Sequence, residues 1–221
     1  MLTVHHLNNS RSQRVLWFLE ELGVSYEIKR YERDPKTMLA PPELRAVHPL
    51  GKSPVIVDNG RTVAESGAII EYLLHEYGEG RLAPLPGSPD WLSFRYWMHY
   101  AEGSAMPPLL LKLVALRIAS APMPFFARPV ARKISETLQS SFIDPQLKTH
   151  LGFINDELKK TGWFVGDAFS AADIQMSFPL EAASSRSADP AHTAIRDFLE
   201  RIHARPAYRR ALERGGEYLY A

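Results

Sequence analysis

The sequence of 221 residues contains no cysteine. Disulfide bonds, zinc–thiolate sites and a cysteine nucleophile are therefore excluded, and any thiol chemistry has to use a sulfur that another molecule supplies. The chain also lacks an excess of charge of either sign, because its formal net charge at pH 7 is +1. That balance implies no large electrostatic attraction to nucleic acid, so no nucleic-acid partner is expected.

Long uninterrupted apolar runs are absent as well. The most apolar stretch, residues 107–127, is interrupted by Lys112, Arg117 and several prolines, and it falls short of the roughly 20 apolar residues that span a bilayer. Residues 1–6 lack the basic region and the apolar run of a signal peptide. These absences predict a cytoplasmic protein without membrane contact.

Metal-binding and phosphate-binding patterns are also missing. No cluster of His, Asp and Glu has metal-ligand spacing, and no glycine-rich phosphate loop is present. His5 and His6 are neighbours on a predicted strand, so their rings point to opposite faces and cannot share one metal ion. The sequence therefore predicts neither a bound metal nor a prosthetic cofactor.

Residues 1–80 alternate between strand and helix patterns, which predicts an α/β domain. The dipeptide Asn59-Gly60 lies between two short strand patterns and is a strong hairpin signal. Gly23 predicts the end of the first helix, and Ser66 predicts the cap of a later one. The expected strands are residues 2–7, 24–31, 54–57 and 61–64, with weak helical character over 36–47.

Residues 78–90 contain three glycines and three prolines, which predicts an interdomain linker over 81–90. The rest of the chain, 91–221, shows helical periodicity and no comparable strand pattern, which predicts an all-α domain. Ser170 and Asp173 form a capping box, with Phe169 and Ile174 at the staple positions around it. The apolar stripes are Trp91, Phe94, Met98, Ala101 and Ala105; Leu147, Leu151, Ile154 and Leu158; and Ile195, Phe198, Leu199 and Ile202.

Several polar residues of the first domain are candidates for binding a small acidic peptide that carries a thiol. A cis bond at Ser53-Pro54 would expose the Ser53 peptide group to an extended ligand, which could pair with it like an added strand. The N–H groups beside Ser66 can bind a carboxylate, Glu65 can pair with an ammonium group, and Lys52 can bind a second carboxylate. Each residue also has an ordinary structural interpretation, as a strand start, a helix cap or a solvated surface charge.

The turn after the first strand contains Asn9, Ser10 and Ser12. A free thiol has a pKa near 8.5, so about one molecule in thirty is ionised at pH 7. A hydroxyl donor and a helix N-terminus would both favour the thiolate. The alternative interpretation is that Ser10 or Ser12 only caps the first helix.

Taken together, these motifs resemble the glutathione S-transferase family over the whole chain. The resemblance rests on residues 10–23 (Ser10-x-x-x-Arg14-Val15-x-x-x-Leu19-Glu20-Glu21-Leu22-Gly23), on 48–54, on Glu65-Ser66-x-x-Ile69 and on 169–174. It implies a thioredoxin-like N-terminal domain over 1–80, an all-helical C-terminal domain over 91–221 and a homodimer. It is closest to bacterial and fungal members that use a serine.

The resemblance also implies site roles. Ser53 would meet the cysteinyl backbone of glutathione, Pro54 would be the cis-proline, Glu65 and Ser66 would hold the γ-glutamyl end, and Lys52 would lie near the glycyl carboxylate. Ser10 is the first choice for the residue that activates the thiol, then Asn9, then Ser12. The walls of the electrophile site are expected from Tyr96, Tyr100, Met106 and Leu110, for which helix–helix core is an equal alternative.

Three functions are compatible with these residues. The first is detoxifying transfer of glutathione, as co-substrate, to small hydrophobic electrophiles. The second is a glutathione-dependent disulfide or peroxide reductase on the same site, which Asn9 keeps open, and the third is a non-catalytic binding or scaffold protein. The absence of cysteine rules out the cysteine-using thiol-transfer mechanism. Residues 107–133 could cover the site, join the dimer or touch a membrane surface, and the sequence does not decide between these roles.

Overall fold

The computed structural model describes residues 1–187 and 189–220, which fold into a small sheet followed by a bundle of helices. The strands are β1 (Leu2–Leu7), β2 (Glu27–Tyr31), β3 (Val55–Asp58) and β4 (Arg61–Ala64). The helices are α1 (Ser12–Leu22), α2 (Leu44–Val47), α3 (Ser66–Tyr77), α4 (Pro89–Tyr100), α5 (Met106–Ser120), α6 (Arg128–Leu138), α7 (Asp144–Thr161), α8 (Ala171–Ser187), α9 (Thr193–His203) and α10 (Pro206–Gly215).

The four strands form one mixed sheet in the order β2-β1-β3-β4. β1 pairs with β2 in parallel, whereas β3 is antiparallel to both of its neighbours. The β1–β2 connection runs through α1, whose apolar side is fully buried. This βαβ unit followed by a ββα unit is the thioredoxin-like arrangement that the sequence predicts.

The hairpin between β3 and β4 has a simple local cause. Asn59 and Gly60 have φ values of 47° and 83°, and both positive angles are required by the type I′ turn that matches strand twist. Asp58, at the end of β3, is 2% exposed and accepts hydrogen bonds from the hydroxyls of Tyr72 and Tyr77 at 2.9 and 2.6 Å. The hairpin is therefore tied to α3.

Three local predictions need correction. β2 begins at Glu27 rather than at residue 24. The weak helical pattern over 36–47 yields only the short helix α2, because a turn closed by the Asp34 side chain and the pair of prolines precede that helix. Ser66 does not cap α3. Glu65 takes the capping position, and Ser66 is the first helical residue.

The helical region contains no strand among its described residues, in agreement with the sequence. The apolar stripes of α7 and α9 are buried, and so are Phe94, Met98, Ala101 and Ala105 of the first stripe, while Trp91 is half-buried. A five-residue π-helical turn, Ala101–Ala105, joins α4 to α5 and shifts the face that the helix presents. α5 and α6 form an antiparallel hairpin in which Ser135 donates to the carbonyl of Ala115 at 2.7 Å.

The sheet domain packs on the helices through α1. The Trp17 ring meets the rings of Phe169 and Tyr208 at 5.7 and 5.1 Å between centroids. Glu21 of the same helix accepts two hydrogen bonds from Arg205 at 2.6 and 2.8 Å. α1 is therefore held between the sheet and the helical bundle, and its N-terminal end is fixed relative to both.

Candidate active site

The first candidate region is the turn that joins β1 to α1. Asn9 has a φ of 49°, a left-handed conformation that asparagine tolerates better than most residues. Ser10 is 4% exposed and Ser12 is fully buried, whereas Asn9 is only half-buried. The turn therefore directs the two serine side chains inward and leaves Asn9 nearest to solvent.

Ser12 lies at the centre of a buried hydrogen-bond network. Its Oγ is 2.9 Å from His6 Nδ1, 3.2 Å from the carbonyl oxygen of Leu7 and 2.7 Å from Ser10 Oγ. The backbone N–H of Leu7 donates to the same Oγ at 3.2 Å. Ser12 thus connects β1 to the start of α1 from the inside.

His6 is a neutral member of this network. Burial lowers the pKa of His6 to about 4, so the ring is neutral at pH 7, and a backbone hydrogen bond with Gly215 opposes that shift. A neutral imidazole donates through one ring nitrogen and accepts through the other. The single proton of the Ser12 hydroxyl can go to the Leu7 carbonyl or to His6 Nδ1. Ser10 Oγ is buried against Ser12 Oγ and also accepts from the Ser12 N–H at 3.2 Å, so the Ser10 hydroxyl is engaged inside the protein.

Asn9 is held differently. Its side-chain oxygen, Oδ1, accepts a hydrogen bond from the backbone N–H of Leu219 at 2.8 Å. Its backbone carbonyl accepts a longer bond from the Arg33 guanidinium at 3.5 Å. The amide nitrogen Nδ2 has no partner in the part of the chain that the structure describes, so two N–H donors remain available there.

The second candidate region is Ser53-Pro54, whose peptide bond is cis as expected. Ser53 Oγ donates to the carbonyl of His5 at 2.8 Å and accepts from the N–H of Leu7 at 3.2 Å. The Leu7 N–H is shared with Ser12, which places the Ser53 hydroxyl beside the β1–α1 turn. The β1–β3 ladder ends at His5 and Val55, so the Ser53 peptide unit lies beyond it.

The third candidate region is the N-terminus of α3. Glu65 has φ 73° and ψ 125°, and its exposed carboxylate has no partner among the described residues. The first N–H groups of the helix, at Ser66, Gly67 and Ala68, have no acceptor within it. An exposed acid therefore stands beside a group of free N–H donors, which suits a ligand end that carries both an ammonium and a carboxylate.

Arg14 joins this region to α1 and to the helical domain. Its guanidinium is 1% exposed and donates to Ser66 Oγ at 3.2 Å, to the carbonyl of Gln175 and to the Glu102 carboxylate. Glu102 also pairs with Arg11 at 3.0 Å. The two arginine charges hold the pKa of Glu102 below its usual value against the opposing effect of burial.

Lys52 and the residues expected to line the electrophile site lie in several different environments. Lys52 is exposed and unpaired in the described chain, next to Ser53. Tyr96 and Tyr100 stack at 5.4 Å and face α7, where Tyr100 hydrogen-bonds His150 at 2.5 Å. Met106 is 7% exposed within the core, whereas Leu110, one turn further along α5, is 53% exposed and available to a ligand.

Sequence reasoning missed several residues beside the turn. Phe178 of α8 stacks under the guanidinium groups of Arg11 and Arg14, at 5.6 and 5.5 Å from its ring centroid. Leu219 reaches Asn9 from 210 positions further along the chain. No local pattern marks either residue, whereas Arg14 already belonged to the motif that carries the family resemblance.

Within residues 1–187 and 189–220, no three His, Asp or Glu side chains are grouped so that they could hold a metal ion. None of the helices described there is long and apolar enough to cross a membrane.

Comparison with known proteins decides the family. The N-terminal domain model of glutathione S-transferases matches residues 10–76, and the C-terminal domain model matches residues 125–206. Glutathione S-transferase 3 of Schizosaccharomyces pombe is 36% identical over 215 residues, which are 97% of this chain and 88% of that protein. The chain belongs to the glutathione S-transferase family.

Other relatives agree with that assignment. Glutathione S-transferase 1 of Saccharomyces cerevisiae is 33% identical over 223 residues, covering 97% of this chain and 95% of the yeast protein. The crystal structure of a glutathione S-transferase from Actinobacillus pleuropneumoniae superposes with a TM-score of 0.81 at 32% identity, covering 99% and 94% of the two chains. The protein is a glutathione transferase, which favours an enzyme over the scaffold interpretation.

Proposed function

We propose that this glutathione S-transferase binds glutathione across the Asn9 turn, Ser53-Pro54 and the N-terminus of α3, and transfers its thiolate to small hydrophobic electrophiles. The ligand's chemistry supports this arrangement. The ammonium group of the γ-glutamyl end pairs with Glu65, and its carboxylate accepts from the N–H groups at Ser66 and Gly67. The cysteinyl backbone pairs with the Ser53 peptide group, and the glycyl carboxylate lies near Lys52.

The role of stabilising the glutathione thiolate is assigned to Asn9. The carrying observation is that Ser10 Oγ is buried and engaged with Ser12 at 2.7 and 3.2 Å, while the half-buried Asn9 keeps the donors of Nδ2 unpartnered among the described residues. Lowering a thiol pKa by about two units takes roughly 2.7 kcal/mol. One charge-assisted hydrogen bond, at about 1.5–3 kcal/mol, together with the N-terminus of α1, supplies that amount. Ser10 remains the competing assignment.

The electrophile is proposed to enter beside the exposed side chain of Leu110. The α5–α6 hairpin also exposes Val114, Val130 and Ile134, so an apolar molecule would find more contact area there than a polar one. An apolar wall selects by shape and size, which suits the role in detoxification that the family resemblance implies.

Disulfide reduction is the second candidate. It needs no other residue than the unpartnered amide of Asn9, which neither gives up nor takes up a proton. An amide donor stabilises the thiolate equally well whether the thiolate attacks carbon or a disulfide sulfur.

Two assays on the same preparation distinguish these reactions. We expect the rate of transfer to 1-chloro-2,4-dinitrobenzene to exceed the rate of reduction of a mixed disulfide of glutathione, each compared with its uncatalysed reaction. The reverse ranking would contradict conjugation as the main activity. The variant Leu110→Asn should raise KM for the chloronitrobenzene and leave KM for glutathione unchanged.

A homodimer is proposed as the assembly. Large apolar side chains on α4 and α5 are exposed in the single chain, among them Leu92 at 78% and Leu111 at 39%. Burying such side chains against a second copy would stabilise the pair by the hydrophobic effect. Sedimentation equilibrium should give about twice the mass of 25.0 kDa, and a monomer at micromolar concentration would contradict the proposal.

A further inference from the structure

The segment after α10 returns to the β1–α1 turn. α10 ends at Gly215, and Gly216, with a φ of 89°, redirects the chain. Three residues later, the backbone N–H of Leu219 donates to Asn9 Oδ1 at 2.8 Å. The Leu219 side chain is 65% exposed, so the contact with Asn9 depends on the backbone rather than on packing of this side chain.

A buried carboxylate anchors this segment. Tyr218 is 8% exposed, and its hydroxyl donates to Glu181 Oε2 at 2.6 Å. Glu181 is 2% exposed and accepts a second bond, through Oε1, from the Tyr208 hydroxyl at 2.7 Å. His203 Nε2 lies 3.1 Å from the same Oε1. Burial and the Glu181 charge raise the pKa of Tyr218, so its hydroxyl keeps its proton.

The neighbouring residue also contacts the helical domain. The ring of Tyr220 meets the ring of Phe178 edge-on at 5.6 Å, and Phe178 in turn lies beneath Arg11 and Arg14. The segment is thus fixed on both sides of Leu219, by Tyr218 to Glu181 and by Tyr220 to Phe178. A backbone N–H held at two flanking points is a well-oriented donor.

We propose that Tyr218 and the Leu219 N–H are positioning elements for the thiol site, acting through Asn9. An asparagine amide can rotate by half a turn and exchange its donor and acceptor ends. The bond from Leu219 to Oδ1 selects the orientation that leaves Nδ2 free to donate. In the inverted orientation, Oδ1 would face the sulfur and repel its negative charge. This inference rests on the proposed function, in which Asn9 Nδ2 stabilises the glutathione thiolate.

The backbone donor is tested by a matched pair of variants. Leu219→Pro removes the N–H, whereas Leu219→Ala removes most of the exposed side chain and keeps the N–H. We expect Leu219→Pro to raise the thiol pKa of bound glutathione by about 0.5–1 unit, which is what one lost hydrogen bond is worth, and to lower kcat at pH 6.5 roughly two- to fivefold through the smaller thiolate fraction. Leu219→Ala should change neither quantity.

The anchor is tested by a second pair. Tyr218→Phe and Tyr208→Phe each remove one hydroxyl from the same Glu181 carboxylate and keep the ring. Only Tyr218 is in the segment that reaches Asn9. We therefore expect the thiol pKa to rise in Tyr218→Phe and to stay within about 0.2 unit of the wild type in Tyr208→Phe, a change well below the value of one hydrogen bond.

Binding of S-methylglutathione, which has no thiol to ionise, separates positioning from loss of the binding site. Its dissociation constant should stay within about twofold in all four variants, because a contact made only to the thiolate does not affect it. An unchanged thiol pKa in Leu219→Pro and Tyr218→Phe, alongside a raised one in Asn9→Ala, would overturn the positioning role alone. An unchanged thiol pKa in Asn9→Ala would overturn the proposed function itself.

Discussion

His6 should make the protein lose stability in mild acid. The ring is 3% exposed, and burial lowers its pKa to about 4 from the usual 6.5. Because the folded pKa is below the unfolded one, the unfolded chain binds more protons between pH 6.5 and 4. The stabilisation is therefore complete above pH 6.5 and is lost as the pH falls towards 4.

The size of this loss follows from the difference between the two pKa values. Each unit is worth about 1.36 kcal/mol, so His6 accounts for about 3 kcal/mol over the whole range and for about 2 kcal/mol by pH 5. A typical domain is stable by only about 5–15 kcal/mol, so this loss is readily measured. The pKa of His5, which burial and Lys29 also lower, adds a loss of the same sign.

The variant His6→Asn isolates the contribution of one ring. Its side-chain oxygen can accept from Ser12 in place of Nδ1, and it does not titrate. We expect the free energy of unfolding in urea, measured at pH 7.5 and pH 5, to fall by about 2 kcal/mol more in the wild type than in His6→Asn. Equal losses in the two proteins would refute the neutral, buried state of the His6 ring.

Three other predictions concern separate parts of the molecule. Arg14→Met should lower the free energy of unfolding in urea by about 3–5 kcal/mol, because a buried guanidinium with three partners is lost. Arg11 pairs with the same Glu102 carboxylate but is half-exposed, so Arg11→Met should cost about 1 kcal/mol or less. Similar costs for the two variants would contradict this prediction. Asp173→Ala removes the acceptor for the N–H groups of Phe164 and Ser170, at 2.9 and 2.7 Å, and should cost about 2–4 kcal/mol in the same assay, against about 1 kcal/mol for Ser170→Ala. Lys52→Met should raise KM for glutathione roughly fivefold, which corresponds to the loss of one exposed charged hydrogen bond. KM for γ-glutamylcysteine, which lacks the glycyl residue, should not change. Equal increases in the two KM values would show that Lys52 does not bind the glycyl carboxylate.

Local sequence signals predict most of the first domain correctly. The turn at Asn59-Gly60 and the stop at Gly23 depend on the backbone preferences of a few adjacent residues, and the structure has both, with Gly23 at a φ of 70°. The capping box is also local, and Asp173 accepts from the N–H of Ser170 as expected. Ser66 was assigned wrongly because the positive φ of Glu65 has no sequence signature.

The candidate site depends on contacts between residues that are far apart in the sequence. Ser10 is a reasonable thiol activator as long as its hydroxyl is free, but the hydroxyl is buried against Ser12, which in turn contacts His6 and Leu7 of β1. The orientation of Asn9 depends on Leu219 at the other end of the chain. Neither effect leaves a pattern in the sequence of the turn, so the choice between serine and asparagine needed the fold.

The most direct test of the central claim is the thiol pKa of bound glutathione, obtained from thiolate absorbance against pH in the wild type, Asn9→Ala and Ser10→Ala. The account predicts a pKa near 6.5 in the wild type, about two units below the free thiol. Asn9→Ala should raise it by at least about one unit, the value of a charge-assisted hydrogen bond. Ser10→Ala should leave it within about 0.3 unit, because the Ser10 hydroxyl is buried and engaged with Ser12. A raised pKa in Ser10→Ala with no change in Asn9→Ala would contradict the account.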